Sequence, residues 1–359
     1  MRTLLFQPGP RCMKSMKLLK PLIFSLICLV GLQAPADSYG AESRQKQQSA
    51  KTSKAKATKA VKASKASKVK PVTARRVKAV KPLRQRKMAQ AVAVSQAPNA
   101  AHLAALRSSA VVIIDPKTQD VLYQKNQNTV MPIASLTKLM TALVVLDANQ
   151  SMTQQLTVTS ADVDRLKYST SRLQVGTTLS RTSMLHLALM SSENRAASAL
   201  GRNYPGGTRA FVAAMNRKAR ALGMRNTRYV EPTGLSSANV STPSDLAKLV
   251  IAAEKSALIR RYSTDHQFSI RQGRSTSVYH NTNRLTASSN WRIRLQKTGY
   301  ISEAGRCMVL YTMVNNRPTV MVFLNSQGKY SHAADANRAR SWLAGYRTGK
   351  VQRVVKRRQ

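Results

Sequence analysis

The apolar positions of this chain change period as it runs, and the changes mark out its elements. Residues 111–115 and 121–123 are short apolar runs flanking a polar turn at 116–119, which predicts two strands. From Leu136 the period becomes helical, with Leu139, Met140, Leu143, Val144 and Leu146 on the same side. A second helical region opens near Ser183, capped by Thr182 or Ser183, and passes through Leu185, Leu187 and Met190 to Leu200. Residues 211–222 form an amphipathic helix pattern that stops at Gly223, a residue free to adopt the left-handed backbone at a helix end. Thr242-Pro243-Ser244-Asp245 sets a capping hydroxyl before a first-turn proline and opens a helix to about Ala253.

Strand texture then returns. Residues 291–295 alternate, and 308–314 and 319–325 are apolar runs joined at Asn315-Asn316-Arg317-Pro318, which reads as a hairpin. Residues 333–342 close the pattern as a helix. Strands at both ends with helices between them predict an α+β fold, in which an antiparallel sheet formed from both chain ends packs on a helical region.

Ahead of this patterned domain, assigned to residues 101–348, the composition differs sharply. The chain has 359 residues, with 59 Lys and Arg against 14 Asp and Glu, a formal charge of +45. No acidic residue lies between Glu42 and Asp115. Lys51, Lys54, Lys56, Lys59, Lys62, Lys65 and Lys68 recur among Ala, Ser and Thr, without the large side chains that would offset ordering entropy. Residues 37–100 therefore read as a disordered cationic tail, and 349–359 as a short basic tail. Such charge seeks anionic polymers, or else the tail is a solvated spacer. Residues 1–36 read as a secretory signal: Arg11, Lys14, Lys17 and Lys20 precede an apolar run over 21–32, and Ala34-Pro35-Ala36 fits a small-x-small cleavage site. Export to the periplasm disfavours nucleic acid as the partner. Cys12 and Cys28 would leave with the signal, so Cys307 remains as a single core thiol with no disulfide partner.

The candidate chemistry lies in three short motifs. Ser-x-x-Lys occurs at Ser43, Ser53, Ser67, Ser135 and Ser326, but only Ser135-Leu136-Thr137-Lys138 opens a long apolar helix. Positions three apart share a helix face, so Lys138 can reach the Ser135 hydroxyl. A serine hydroxyl needs a base to become a nucleophile, and a lysine becomes one when burial lowers its pKa. Taken alone, this pair also fits a helix cap beside a solvated lysine. Ser192-Glu193-Asn194 sits at a junction between two helical patterns, where a hydroxyl and an amide can be aimed into a cleft; Ser237-Ala238-Asn239 and Ser288-Ser289-Asn290 repeat its pattern. Lys297-Thr298-Gly299 occurs once, after the strand pattern at 291–295. Lys and Thr there can bind a carboxylate, and Gly admits a close backbone approach. No zinc-site pattern of the type His-Glu-x-x-His and no Gly-rich phosphate loop is present, so neither metal nor cofactor is expected.

The order and contexts of the three motifs reinforce one another. With them, Glu231-Pro232-Thr233-Gly234-Leu235-Ser236 and Asn281-Thr282-Asn283 make residues 108–348 resemble the low-molecular-weight penicillin-binding proteins, the serine D-alanyl-D-alanine peptidases, and within them the penicillin-binding protein 7 group of endopeptidases. The resemblance implies a β-lactamase/DD-peptidase-like fold and peptidoglycan peptide stems as substrate. It implies that Ser135 forms an acyl-enzyme, that Lys138 is its general base and that Ser192 relays a proton. It implies that Asn194 binds the peptide, that Lys297 and Thr298 hold the substrate carboxylate with Gly299 beside them in the substrate site, and that Tyr300 supplies an oxyanion-hole N–H together with Ser135. Penicillin would trap the same serine. No Glu-x-x-Leu-Asn lies between Asn194 and Lys297, so fast antibiotic hydrolysis is not expected. The short stretch after the last helix favours a soluble or loosely attached endopeptidase. A carboxypeptidase, or an inactive polycationic envelope-binding protein, are the alternatives.

Overall fold

A computed structural model describes residues 101–345; the segments read above as a signal, a cationic tail and a short basic tail lie outside them. A short helix α1 (Ala101–Ala104) precedes the hairpin β1 (Ser108–Ile114) and β2 (Val121–Lys125). After β3 (Met131–Pro132), one 3-10 turn at Ala134–Leu136 leads into α2 (Thr137–Asp147). The helical region continues through the small pair β4 (Gln155–Thr157) and β5 (Thr178–Ser180), then α3 (Arg181–Met190), α4 (Asn194–Arg202) and α5 (Gly207–Ala221). It ends with β6 (Val240–Ser241), α6 (Pro243–Glu254), α7 (Ala257–Thr264) and the hairpin β7 (Gln267–Gln272) and β8 (Ser275–His280). Three long strands follow, β9 (Arg292–Ile301), β10 (Gly305–Val314) and β11 (Arg317–Ser326), before the closing helix α8 (Ser331–Gly345).

The main sheet runs β2-β1-β11-β10-β9, antiparallel throughout, so the α+β expectation with strands from both chain ends holds. β1 meets β11 with Val112 opposite Val322 and Ala110 opposite Leu324. Both faces of the sheet are covered. Val111, Ile113, Met321 and Phe323 pack with Trp342 and Ala339 of α8, while Val112, Ile114, Val320 and Val322 pack with Leu139 and Leu246 of the helical region. Side chains alternate across a strand. Burial on both sides therefore turns the expected alternation into the continuous apolar runs seen in the sequence.

Several local expectations change. The cap of α3 is Ser180, whose hydroxyl accepts from the Ser183 N–H, rather than Thr182 or Ser183. The helical region over 183–200 is two helices, and the junction expected at Ser192-Glu193-Asn194 falls where Ser192 takes φ of +62°. The hairpin between β10 and β11 turns on Asn315 and Asn316 alone, with φ of +49° and +60°, while Arg317 and Pro318 already pair in β11. Two left-handed residues match the twist of the flanking strands, and asparagine tolerates that conformation. Ser326, the last of the five Ser-x-x-Lys serines, ends β11 and points its hydroxyl at Asp335. Gly223, at φ +69°, ends α5 as expected. Helix α7 and the β7–β8 hairpin were not anticipated, because their exposed polar positions carry little apolar period.

Candidate active site

The local fold at Ser135 is set by backbone compression. Ala134 has φ of +47°, unusual for a residue with a Cβ, and the 3-10 turn then places Ser135 at the mouth of α2. Two glycines press on this turn. A Cβ on Gly234 would stand 2.0 Å from the Ala134 carbonyl oxygen, and one on Gly299 would stand 2.8 Å from the Ser135 nitrogen. Gly299 thus admits the nucleophile's own backbone. β9, at the sheet edge, is held against the Ser135 turn.

Lys138 is fully buried in the first turn of α2. Its Nζ lies 2.9 Å from Ser135 Oγ, 2.8 Å from Asn194 Oδ1 and 2.6 Å from the Thr233 carbonyl oxygen. An ammonium donates three hydrogen bonds, and three acceptors surround it. The Asn194 and Thr233 oxygens can only accept. A neutral amine that donates to both therefore directs its lone pair at the Ser135 hydroxyl. Burial lowers the Lys138 pKa to about 8, against the opposing pull of Glu231, Glu193 and Asp164.

The Thr233 carbonyl is held by a turn built around one carboxylate. Glu231 accepts from the N–H groups of Thr233 and Gly234, both at 2.6 Å, and from the Thr233 hydroxyl at 2.5 Å. Buried Asn239 ties the turn to the nucleophile: its Nδ2 donates to Glu231 and to the Thr137 hydroxyl, and its carbonyl accepts from the Ile133 N–H. Sequence reasoning gave Glu231 no role. The Glu-Pro-Thr-Gly stretch, a turn pattern whose Gly234 is left-handed in the structure, is the signal that could have found it. Asp164 is a second missed residue: it accepts from the backbone of Leu166, Lys167 and Ser169 and from the Ser169 hydroxyl, which in turn accepts from Asn194 Nδ2.

A cleft of about 640 Å3 opens over this cluster, and Ser135, Ser192, Asn194, Thr298, Gly299 and Tyr300 all line it. Ser192 enters on its left-handed backbone, and its hydroxyl has no hydrogen-bond partner among the described residues. The Thr298 hydroxyl lies 2.7 Å from that of Thr282. Lys138 and Lys297 do not line the cleft. Lys297, expected to hold a substrate carboxylate, is fully buried on β9 and donates to the Thr298 carbonyl at 2.9 Å. Burial and the nearby Lys138 charge hold its pKa well below the ordinary lysine value. Of the repeated patterns, Asn239 belongs to the supporting network. Ser288 and Asn290 lie off the cleft, and Ser43, Ser53 and Ser67 fall outside the described residues.

The remaining candidates are structural. His186 is buried against Tyr262 and Phe268, with ring centroids 4.5 and 4.2 Å away, and its Nε2 lies 3.0 Å from Asp265. Cys307 is buried on β10, and its thiol is pushed up to about 12.

Comparison with known proteins agrees with this geometry. Residues 90–328 match the D-alanyl-D-alanine carboxypeptidase family. A D-alanyl-D-alanine endopeptidase of Pseudomonas aeruginosa is 47% identical over 251 residues, covering 69% of this chain and 80% of that protein. Its counterpart in Escherichia coli is 46% identical over 267 residues, covering 74% and 85%. Among solved structures, a Streptomyces DD-transpeptidase superposes with a TM-score of 0.61 at 28% identity, over 66% of this chain and 97% of that one. With a serine and a buried lysine facing each other at the floor of a DD-peptidase fold, the chain belongs to the D-alanyl-D-alanine carboxypeptidase family of serine peptidases.

Proposed function

We propose that this chain is a periplasmic endopeptidase that cuts D-amino-acid cross-links in peptidoglycan through an acyl-enzyme on Ser135. The observation that carries the reading is the Lys138 amine, buried and held by two fixed acceptors so that its third direction meets the Ser135 hydroxyl. In acylation, Ser135 Oγ attacks the carbonyl carbon of the cross-link and gives its proton to Lys138 Nζ. The developing oxyanion faces the N–H groups of Ser135 and Tyr300. The C–N bond then breaks, and the proton reaches the departing amine through Ser192. Water attacks the acyl carbon with Lys138 again as base, and releases Ser135. Thr298 contacts the substrate carboxylate, and Lys297, donating to the Thr298 carbonyl, steadies that stretch of β9 from behind. Asn194 has its side chain engaged with Lys138 and Ser169, so its main work is to orient the base.

The endopeptidase reading rests on the two relatives of that name at 46–47% identity. Digestion of cross-linked muropeptide dimers separates it from its rival: endopeptidase action yields monomers, and carboxypeptidase action yields dimers shortened by one D-Ala. Penicillin acts as a covalent inhibitor on Ser135. The lysine-rich tail acts as an electrostatic tether to anionic envelope polymers. Deleting residues 44–87 then weakens envelope retention and spares activity on soluble fragments; unchanged retention overturns the tether.

A further inference from the structure

One end of the cleft carries more positive charge than acyl transfer requires. Arg284, Arg306 and Lys329 line it, and none has a carboxylate partner among the described residues. They come from three separate places, the 3-10 turn after β8, the start of β10 and the turn before α8, yet converge on two exposed tyrosines. The Arg306 guanidinium lies 4.5 Å from the Tyr300 ring centroid, and Arg284 and Lys329 lie 6.0 and 5.5 Å from that of Tyr330. Tyr300 and Tyr330 are 57% and 59% exposed, so the rings brace the cations without burying them. His332 lines the same end with its Nδ1 buried and unpartnered among the described residues. Burial, helped by the Arg306 charge, holds its imidazole below the ordinary value. The nearby carboxylates are committed elsewhere: Glu303 pairs with Lys167, and Asp335 pairs with Ser108 and Arg338.

From this geometry we infer that Arg284, Arg306 and Lys329 form a carboxylate-binding subsite for the second peptide stem of a cross-linked substrate. The inference rests on the endopeptidase reading and deepens it. A stem attached through a cross-link brings free carboxylates beyond the one beside the scissile bond, which a short peptide ending in D-Ala-D-Ala lacks. A guanidinium fork recognises a carboxylate through paired hydrogen bonds, and the rings hold it oriented. Residues Tyr300 to Arg306 link the β9 strand at Ser135 to this basic end, so both stems are read along one continuous edge.

The test compares wild type with the double variant Arg306→Gln/Lys329→Gln on three probes: a penicillin, a short peptide ending in D-Ala-D-Ala whose only carboxylate is its C-terminal one, and cross-linked dimers in which the second stem's carboxylates other than the one beside the scissile bond are free or amidated. The variant should be acylated by penicillin, and should turn over the short peptide, within about twofold of wild type. Its kcat/KM on the free-acid dimer should fall roughly tenfold, as expected for losing two partly exposed charge contacts. Wild type should cleave the amidated dimer as slowly as the variant cleaves either one. Equal cleavage of both dimers by wild type overturns the subsite, as does a variant equally impaired on all three probes. A wild type that cleaves neither dimer yet takes penicillin overturns the endopeptidase reading instead.

Discussion

Lys138 donates to the Thr233 carbonyl at 2.6 Å, and the turn that fixes this carbonyl is closed by the Glu231 carboxylate. Glu231 therefore acts on the base twice, through the backbone it holds and through its charge, which raises the Lys138 pKa. Glu231→Gln removes the charge and mismatches a carboxylate that accepts from several N–H groups, so folding stability should drop by about 1–3 kcal/mol. The pH profile separates the charge effect from simple loosening. Without the negative charge the Lys138 pKa falls further, so the rise of acylation rate with pH should move to lower pH. An unmoved profile would leave Glu231 with a purely structural role.

The wild-type profile follows from the same group. Lys138 titrates near 8, and only its neutral form accepts the Ser135 proton. Acylation by a penicillin should rise about tenfold per pH unit below that value and level off above it, because the neutral fraction of Lys138 sets the supply of base. Lys138→Ala should lower the rate roughly a hundred- to ten-thousand-fold and flatten the rise. A rate that falls as pH increases from 6 to 8 contradicts a lysine base.

Gly299 and Gly234 make a graded pair. Gly299→Ala puts a methyl 2.8 Å from the Ser135 nitrogen on a strand that can shift slightly, so a folded protein with acylation slowed at least tenfold is expected. Overpacking of this kind costs about 1–3 kcal/mol. Gly234→Ala meets the Ala134 carbonyl at 2.0 Å with φ of +86°, and should lower the melting temperature much more. Thermal unfolding and penicillin acylation of the two variants check the order.

Much of this arrangement is legible in the sequence. Ser135 and Lys138 share a helix face by spacing alone, and the long apolar runs at 111–115 and 319–325 announce a sheet buried on both sides. The three motifs meet because β9 is the edge strand beside the Ser135 turn, a relation that local patterns do not encode. The same limit explains Lys297. A lysine on a strand reads as a carboxylate ligand, whereas its burial behind Thr298 follows from which face of β9 packs inward. Glu231 and Asp164 escaped because their partners are backbone N–H groups, which every sequence supplies.

Cys307 offers a negative control. Its thiol is fully buried with a pKa near 12, so the native protein should resist iodoacetamide at pH 8 and react once unfolded. His186→Phe should likewise leave acylation unchanged, since the ring serves to pack against Tyr262 and Phe268. Fast native labelling of Cys307, or loss of acylation in the His186 variant, places either residue closer to the chemistry than the structure does.

The central claim is that Ser135, activated by Lys138, is the nucleophile. Mass spectrometry of the folded protein after incubation with a penicillin tests it most directly. The account predicts one covalent penicilloyl adduct, located on Ser135 by peptide mapping and absent from Ser135→Ala. An adduct on another residue, an adduct that persists in the variant, or no adduct on a protein shown to be folded contradicts it.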